Sequence, residues 1–418
     1  MPDTHSLDGI HKDVVIIGAG LAGLQAACLL RDREILVLER EQFAGGRVLT
    51  QSWQGVPYEL GAVFAFDPAL LPTRDVCPAL IEEKGMIGAH AAGQIWMGAD
   101  VASCLGEIDF RNDELAEIIA FVTSGAEDLS TLSPGAYRLL NAFFQLIHPG
   151  EMSEYLPQRR LDAFYPFQTA HYETGNGALV AGFTRQVSPL IRHGVAVQRI
   201  EETSRGVSIR ITENGRDAEL HARLVICAAP APDARRMLAH QAPHCKHFLE
   251  KVRYGSGSVT VLSIPRDVLP QLSYLATPEL ATSTIVRHQV AVASGGNALL
   301  YLYCMGSKAT VGLGRSPEER QEGVRQILKS VGLDREHMEQ ARIVDHHHWE
   351  QLAPVISQES YADWSEESLQ PSPRVILAGD YTHVDPHNPM PYGMSAAVAS
   401  GKKAALAART LLDHIKAL

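Results

Sequence analysis

The sequence is poor in cysteine, in basic runs and in long apolar segments. Its 418 residues include 6 cysteines, none of them in a CxxC pair, so we expect reduced, structural thiols and no disulfide scaffold. Acidic residues outnumber basic ones by 48 to 37, and the net charge of −11 argues against a nucleic-acid partner or an anionic membrane surface. With 45% hydrophobic and 20% charged residues, the composition is typical of a soluble globular protein, for which we expect a small-molecule partner.

Targeting signals are also missing. The N-terminal residues MPDTHSLDGIHKD lack the basic and apolar regions of a secretory signal, and the C-terminal LLDHIKAL lacks an anchor helix. The longest apolar stretch, from Val14 to Leu30, is too rich in glycine for a membrane span. We therefore expect a cytoplasmic protein without a membrane span. The oligomeric state stays open, and a homodimer is compatible with the sequence.

The strongest pattern in the chain lies near its N-terminus. An apolar, β-branched run ends at Ile17 and meets Gly18, Gly20 and Gly23 in GxGxxG spacing. This pattern predicts a strand, a tight turn and a helix start. The first glycine makes the turn, the second lets the backbone approach a pyrophosphate, and the third lets the helix pack against the strand. The helix N-terminus then favours the bound phosphates.

A second predicted strand ends at an acidic residue. Glu39 lies about 20 residues after the first glycine, where a carboxylate can accept two hydrogen bonds from a ribose diol. Arg40 follows directly, and Gly45-Gly46-Arg47 adds a second glycine motif. Because the glycines come with their strand, helix and acidic residue, the segment predicts a dinucleotide with an unphosphorylated adenosine ribose.

Together these features resemble the flavin-containing amine oxidase superfamily, which includes monoamine and polyamine oxidases, L-amino-acid oxidases, protoporphyrinogen oxidase and phytoene desaturases. In that superfamily a Gly-Gly-Arg follows the acidic residue, and its arginine helps to hold the FAD pyrophosphate. The resemblance extends to an acidic-x-Gly-Ala element, to a Gly-Asp after a late strand and to the start of the last helix. It also implies that Val197 contacts the adenine through its backbone. The residues that the resemblance assigns to FAD are Gly18, Gly20, Gly23, Glu39, Arg40, Gly46, Arg47, Gly61, Ala62, Val197, Gly379, Asp380 and Met394.

The resemblance implies an α/β fold in which a doubly wound, Rossmann-like FAD-binding domain is interwoven with an α+β substrate domain. The FAD-binding domain is expected to comprise residues 1–70, 170–232 and 351–418. The substrate-binding domain is expected to comprise residues 71–169 and 233–350.

The two inserted segments differ in their predicted structure. Residues from about 67 to 168 show helical periodicity, whereas alternation at 256–264 and 298–304 predicts a half-buried sheet. Ser-Pro pairs predict helix starts at Ser133 and Ser316, the second with a capping box. The apolar positions of the helices in the first insert are Leu115, Ile118, Ile119, Val122, Leu140, Phe143, Phe144 and Ile147.

Three groups found in members of the superfamily are missing from this sequence. No lysine lies on the strand after Gly255, where many members carry one that hydrogen-bonds through water to the flavin ring nitrogen; Lys251 or Lys308 could take its place. No arginine follows Gly61-Ala62 to pair with a substrate carboxylate. No cysteine stands at the position of covalent flavin attachment, so we expect non-covalent FAD.

The resemblance places the loop at 381–392 beside the flavin. His383, His387 and Tyr392 are therefore the candidate catalytic residues, since a histidine near neutral pH can accept a proton. The close spacing of these side chains is weak evidence for a metal site, and no metal is expected. The histidine run before Trp349 is interpreted as a partly exposed turn, and Trp349 as a packing residue.

The expected function is oxidation of a small, fairly apolar amine to an imine by hydride transfer to FAD, with reoxidation by dioxygen and release of hydrogen peroxide. An alternative is a desaturase or aromatising dehydrogenase that acts on a C–C or ring C–N bond. The missing lysine favours this alternative, as does the Ala-Gly-Asp-Tyr-Thr sequence at 378–382, which resembles phytoene desaturases. A third hypothesis is a non-catalytic FAD-binding scaffold.

Overall fold

The computed structural model describes residues 7–63, 65–66, 71, 80–82, 85–110, 113–164, 169–292, 297–309, 316–362, 364–383 and 393–417. The strands are β1 (His11–Ile17), β2 (Ile35–Glu39), β3 (Thr50–Trp53), β4 (Val56–Glu59), β5 (Ala65–Phe66), β6 (Leu80–Glu82), β7 (Met86–Ala91), β8 (Gln94–Gly98), β9 (Thr169–Tyr172), β10 (Ile191–His193), β11 (Val195–Thr203), β12 (Gly206–Glu213), β13 (Arg216–Cys227), β14 (Arg253–Pro265), β15 (Leu272–Ala276), β16 (Thr284–Val292), β17 (Asn297–Met305), β18 (Arg342–Val355) and β19 (Val375–Leu377). The α-helices are α1 (Leu21–Leu30), α2 (Val101–Glu107), α3 (Glu114–Thr123), α4 (Pro134–Phe144), α5 (Gly177–Val187), α6 (Ala231–Met237), α7 (Pro243–Lys251), α8 (Pro317–Ser330), α9 (Arg335–Gln340), α10 (Gln358–Ala362) and α11 (Gly393–Ala417).

The first sheet has a parallel centre. β1 lies between β2 and β13 and runs parallel to both, and β19 pairs with the same β13. Val14 and Ile16 pack with α1, α5 and α11, whereas Val15 and Ile17 pack with α6 and α7 on the opposite face. An apolar run covered on both faces is typical of a parallel strand. The predicted doubly wound arrangement is confirmed.

The second sheet is ordered β18-β14-β17-β16-β15-β7-β8. Helices α2, α3 and α4 cover one face, and α8 covers the other. The prediction of a half-buried sheet is therefore wrong for its central strands, because residues 257–265 of β14 and 298–304 of β17 are buried without alternation. Two layers of helix leave neither face of these strands to solvent.

The first insert also differs from its predicted helical structure. β7 and β8 form a hairpin on the edge of the second sheet, and β7 runs parallel to β15. The hairpin turns through Ala92 and Gly93, which have φ values of 53° and 75°. Both residues are in the left-handed region that a two-residue hairpin favours. Pairing with β15, far along the chain, decides this structure, so a local helical period does not reveal it.

The predicted helix starts are confirmed. The Ser133 side chain accepts a hydrogen bond from the Ala136 N–H at the start of α4. At the start of α8, Ser316 and Glu319 form the reciprocal capping box, with distances of 3.1 Å and 2.9 Å. The predicted apolar face of α3 is slightly rotated, because Ile119 is 54% exposed while Phe121 is buried.

The cysteines of the described residues are free and buried. Burial raises the pKa of the Cys227 thiol to about 12, which makes it unreactive at neutral pH. No helix in the described ranges is long and apolar enough to cross a membrane. The domain borders stay a prediction, and β18 (342–355) runs across the one expected at residue 351.

Candidate active site

The glycine turn after β1 has the geometry that its sequence predicts. Gly18 has a φ of 97° and donates its N–H to the Leu38 carbonyl at 2.8 Å, which ties β1 to β2. A Cβ on Gly23 would lie 1.9 Å from the Gly18 oxygen, whereas a Cβ on Gly20 would meet no protein atom within 4 Å. Gly23 therefore lets α1 pack against the turn, and Gly20 leaves open space beside the helix N-terminus.

Glu39 holds this turn from the end of β2. Its buried carboxylate accepts hydrogen bonds from the N–H groups of Ala19 at 2.7 Å and Glu41 at 2.9 Å. Each carboxylate oxygen has a further lone pair with which to accept a hydrogen bond from a ligand. The second glycine motif lies alongside, because the Gly45 N–H donates to the Ala19 carbonyl at 2.9 Å.

Arg47 connects three parts of the chain. Its guanidinium forms an ion pair with the buried Asp380 at 2.8 Å, donates to the Leu352 carbonyl at 3.1 Å and lies 5.4 Å from the centre of the Tyr254 ring. Burial alone lowers the pKa of Arg47, but the adjacent Asp380 and Tyr254 more than reverse this and raise it. The contacts fix Arg47 as a permanent cation between β18 and the residues after β19.

The last helix is held against the first. Gly379 has a φ of 134° and donates its N–H to the Ser400 hydroxyl at 3.0 Å. A Cβ on Gly401 would lie 2.1 Å from the Ala22 oxygen, so α11 contacts α1 through backbone. This packing brings Met394, at the start of α11, to the same region as Asp380.

These elements surround a cavity of about 930 Å³ that reaches both large sheets. Gly23 is not on its wall because it packs against Gly18. His383 is half-buried and also absent from the described wall, while His387 and Tyr392 lie outside the described residues. The predicted FAD-binding residues on the wall are Gly18, Gly20, Glu39, Arg40, Gly46, Arg47, Gly61, Ala62, Val197, Gly379, Asp380 and Met394.

The histidine run at 346–348 is part of β18, so its interpretation as a turn is wrong. His346 contacts the Thr260 hydroxyl at 2.8 Å through Nδ1, whereas His347 and Trp349 line the cavity. Trp349 also donates its indole N–H to the Leu60 carbonyl at 2.6 Å, beside Gly61. Alternation along β18 could have separated the two faces once the run was recognised as a strand.

Neither of the alternative lysines reaches the cavity. Lys308 is largely buried, and its ammonium donates to the carbonyls of Thr277, Pro278 and Thr282. Lys251 ends α7 and is absent from the described wall, which contains no lysine. Val259 and Val261 of β14 belong to the apolar cluster on the α2–α4 side of the sheet, and β14 contains no lysine.

Glu59 is a buried carboxyl close to the cavity. Desolvation raises its pKa to about 7, although hydrogen bonds from the Asn176 N–H at 2.6 Å and the Thr50 hydroxyl at 2.7 Å oppose the shift. The Asn176 side chain also donates to the carbonyls of Ala62 and Val63. Glu59 and Asn176 thus fix the backbone of the predicted Gly-Ala element.

Comparison with known proteins agrees with this geometry. The model of the family described as flavin-containing amine oxidoreductase matches residues 107–408, and that of an NAD(P)-binding Rossmann-like domain matches residues 16–75. The fold around the glycine turn is that of a Rossmann-like domain. The chain belongs to the flavin-containing amine oxidoreductase family.

Individual relatives are more distant. A protein of Mycobacterium tuberculosis, named as a predicted flavin-containing monoamine oxidase AofH, is 43% identical over 76 residues, which are 18% of this chain and 16% of that protein. The structure of cyclohexylamine oxidase from Brevibacterium oxydans has a TM-score of 0.77 at 17% identity and covers 97% of this chain and 99% of its own. A redesigned double mutant of putrescine oxidase has a TM-score of 0.74 at 15% identity, and the match covers 96% of this chain and 100% of the putrescine oxidase chain. At these identities the structures support the fold.

Proposed function

We propose that the cavity binds FAD without a covalent bond. Gly20 and the N-terminus of α1 would face the pyrophosphate, Glu39 the adenosine ribose and Val197 the adenine. The observation that supports this proposal is the open side of Gly20, where an added Cβ meets no protein atom within 4 Å, on the wall of a cavity that continues to Gly61 and Met394. Heat denaturation should release intact FAD into solution. Flavin retained by the precipitated chain would contradict non-covalent binding.

We propose that the enzyme oxidises a small, fairly apolar amine to an imine. The bound flavin supplies a two-electron acceptor, and dioxygen would reoxidise it with release of hydrogen peroxide. The part of the wall formed by the second sheet and the end of α4 supports this substrate class through its apolar side chains. These are Leu146, Ile147, Val286, Met305 and Trp349.

The charges on the described wall also favour an amine over an amino acid. Arg47 is paired with Asp380, Arg40 with Glu41 and Arg236 with Asp233. Each of these arginines already has a carboxylate partner, so a substrate carboxylate would be desolvated without a dedicated cation. An L-amino acid should reduce the flavin more slowly than the amine formed by its decarboxylation. The reverse order would contradict this part of the proposal.

A second candidate is a dehydrogenase or desaturase that acts on a C–C or ring C–N bond. The absence of lysine from the described wall favours it, because members with amine oxidase activity often use a lysine near the flavin. A panel of amines separates the candidates: peroxide formed in proportion to amine consumed supports amine oxidation. Flavin reduction by a cyclic or unsaturated substrate but by no simple amine supports the second candidate.

The loop that includes His383, His387 and Tyr392 stays our proposed source of further catalytic groups. Asp380 and Met394 line the cavity on either side of this loop, which supports its position near the flavin. Replacement of His383 or His387 by Gln should slow substrate-driven flavin reduction by about 10²-fold with FAD content unchanged. Rates close to wild type for both variants would remove the loop from the chemistry.

A further inference from the structure

The cavity face of the second sheet carries two polar side chains in one lateral row. Val259 of β14 pairs with His347 of β18 on one side and with Tyr303 of β17 on the other. Directly paired residues point to the same face of a sheet, and their spacing puts His347 and Tyr303 roughly 10 Å apart. Both line the cavity, and between them lies only the short, apolar Val259 side chain.

The next row places this pair relative to the flavin-binding elements. Gly257 pairs with Trp349 and with Met305, both of which line the cavity. Trp349 is hydrogen-bonded beside Gly61, and its ring lies 4.3 Å from that of His347 between ring centres. His347 therefore stands one row beyond Trp349, which is hydrogen-bonded to the residue before Gly61.

Both polar groups of the row have hydrogen-bonding capacity to spare. The Tyr303 hydroxyl is buried without a hydrogen-bond partner among the described residues. The same residues offer no hydrogen bond to the His347 ring, and its nitrogens are not fully buried. The His347 imidazole can therefore accept a hydrogen bond from a ligand in the cavity, whereas the Tyr303 hydroxyl lies beneath the accessible surface.

We propose that His347 is a catalytic residue that accepts a proton from the ammonium form of a substrate bound against the part of the cavity wall that includes His347 and Tyr303. This inference rests on the proposed amine oxidation. An N–H bond of the ammonium breaks, a new N–H bond forms on the imidazole, and the lone pair remains on the amine. The free lone pair would then be available to stabilise the adjacent carbon during oxidation, for which a bound flavin would supply the two-electron acceptor.

The surroundings of His347 suit a proton acceptor. Burial lowers its pKa, Asp345 opposes this shift and His348 adds to it, so the imidazole is neutral at physiological pH. A neutral imidazole can take a proton, and the nearby Asp345 carboxylate stabilises the imidazolium that results. The titratable groups on its own strand are Asp345, His346, His348 and Glu350. On the neighbouring elements, Tyr303 of β17 lies in the same row, Tyr58 of β4 donates its hydroxyl to Asp345 at 2.8 Å, and the N–H of Glu59 donates to the Tyr301 hydroxyl.

The pH dependence of flavin reduction tests the proposal. With His347 present, the second-order rate constant for anaerobic reduction by an amine should reach a plateau above the pKa of the imidazole. Without it, the enzyme depends on free amine and the rate constant should rise until the amine pKa of about 10. In His347→Gln the rate constant for flavin reduction should therefore be about 100-fold lower than in the wild type at about pH 7.5, and it should approach the wild-type value as the pH approaches 10.

His348→Gln is the matched control, because His348 is the next residue on β18 but is exposed and points away from the cavity. It should keep the plateau and the rate at about pH 7.5, while the pH at which the plateau begins should rise slightly, because His348 contributes to the lowered pKa of His347. If wild-type flavin is reduced by amines and His347→Gln has the same profile, the role of His347 is refuted while amine oxidation stands. If no amine reduces the wild-type flavin, both proposals fail.

A second measurement does not depend on turnover. A tertiary-carbon amine such as tert-butylamine has no α-hydrogen, so it can bind to the holoenzyme without being oxidised. In NMR spectra at about pH 7.5, its addition should shift one histidine resonance, because the bound ammonium donates a hydrogen bond to the neutral imidazole. That resonance should be missing from His347→Gln and present in His348→Gln. Saturating amine that leaves every histidine unshifted would overturn the proposal.

Discussion

The two sides of the cavity are built in different ways. On the side of the first sheet, backbone forms the wall: Gly18 has a positive φ, Gly20 is open and Glu39 binds the N–H groups of the turn. On the side of the second sheet, side chains such as His347 and Tyr303 form the wall from strands paired across the sheet. We infer that the first wall is rigid and suited to binding the same cofactor in every relative. The second wall is formed by side chains, so substitutions there can change the substrate specificity while the backbone stays the same.

The largest expected effect comes from a substitution that disrupts the packing behind the first wall. In Gly23→Ala the new methyl group would lie 1.9 Å from the Gly18 oxygen, and backbone cannot move aside without separating α1 from β1. We expect flavin content to be lost and the thermal midpoint to fall by roughly 5 to 10 °C. Absorbance of the purified protein and a thermal melt measure both.

Gly20→Ala is the control for this variant. Its methyl group meets no protein atom within 4 Å, so the apoprotein should melt close to the wild-type apoprotein. Because the methyl group would occupy the space proposed for the pyrophosphate, flavin affinity should still fall. Equal melting of both variants would show that Gly23 is not needed for packing.

The next effect concerns the proposed ribose contact. Glu39→Ala removes a carboxylate that already accepts two backbone hydrogen bonds, and with it the proposed charge-assisted bonds to the ribose. FAD affinity should weaken by about 1.5 to 3 kcal/mol, which titration of the apoprotein can measure. Unchanged affinity would mean that Glu39 serves only the turn.

The first wall could be predicted from the sequence because its determinants are local. The roles of Gly18 and Gly23 follow from spacing within one strand-turn-helix unit, and the structure has both. The position of Glu39 follows from the end of the next strand in the same unit. Even the capping box at Ser316 needs only four consecutive residues.

The second wall could not be predicted in the same way. His347 and Tyr303 become neighbours of Val259 only through pairing between strands that are distant in sequence. The histidine run, interpreted from the sequence as a partly exposed turn, is instead a strand because it pairs with β14. The helical prediction for the segment that forms the β7–β8 hairpin is wrong for a related reason, because the strand that pairs with β7, β15, lies far along the chain.

Glu59 gives a pH-dependent test at the junction of the walls. Its pKa rises from 4.5 to about 7 on folding, so the neutral carboxyl is favoured in the fold and its stabilising contribution is lost as the pH rises from 4.5 through 7. When the pH is raised from about 5 to about 8, the free energy of unfolding of Glu59→Gln should therefore increase by on the order of 2 kcal/mol relative to that of the wild type. Thermal melts at both pH values measure this difference. Glu366→Gln, which changes an exposed carboxylate, is the control and should melt like the wild type at both pH values. If Glu59→Gln and the wild type have the same pH dependence of stability, Glu59 does not have the raised pKa.

The smallest expected effect tests the second wall. In Gly257→Ala the new methyl group would lie 2.6 Å from Leu352 Cδ2 and 2.9 Å from Met305 Sδ, and both atoms are at the ends of flexible side chains that line the cavity. These ends can rotate, so the cost should be about 1 kcal/mol and flavin should be retained. The displaced side chains would narrow the cavity, and apparent affinity should fall a few-fold, about 10-fold at most, for a bulky amine and less for a small one.

Stopped-flow reduction with a large and a small amine measures the difference. If Gly257→Ala loses its flavin as Gly23→Ala is expected to, the second wall is as rigid as the first and the contrast between them fails.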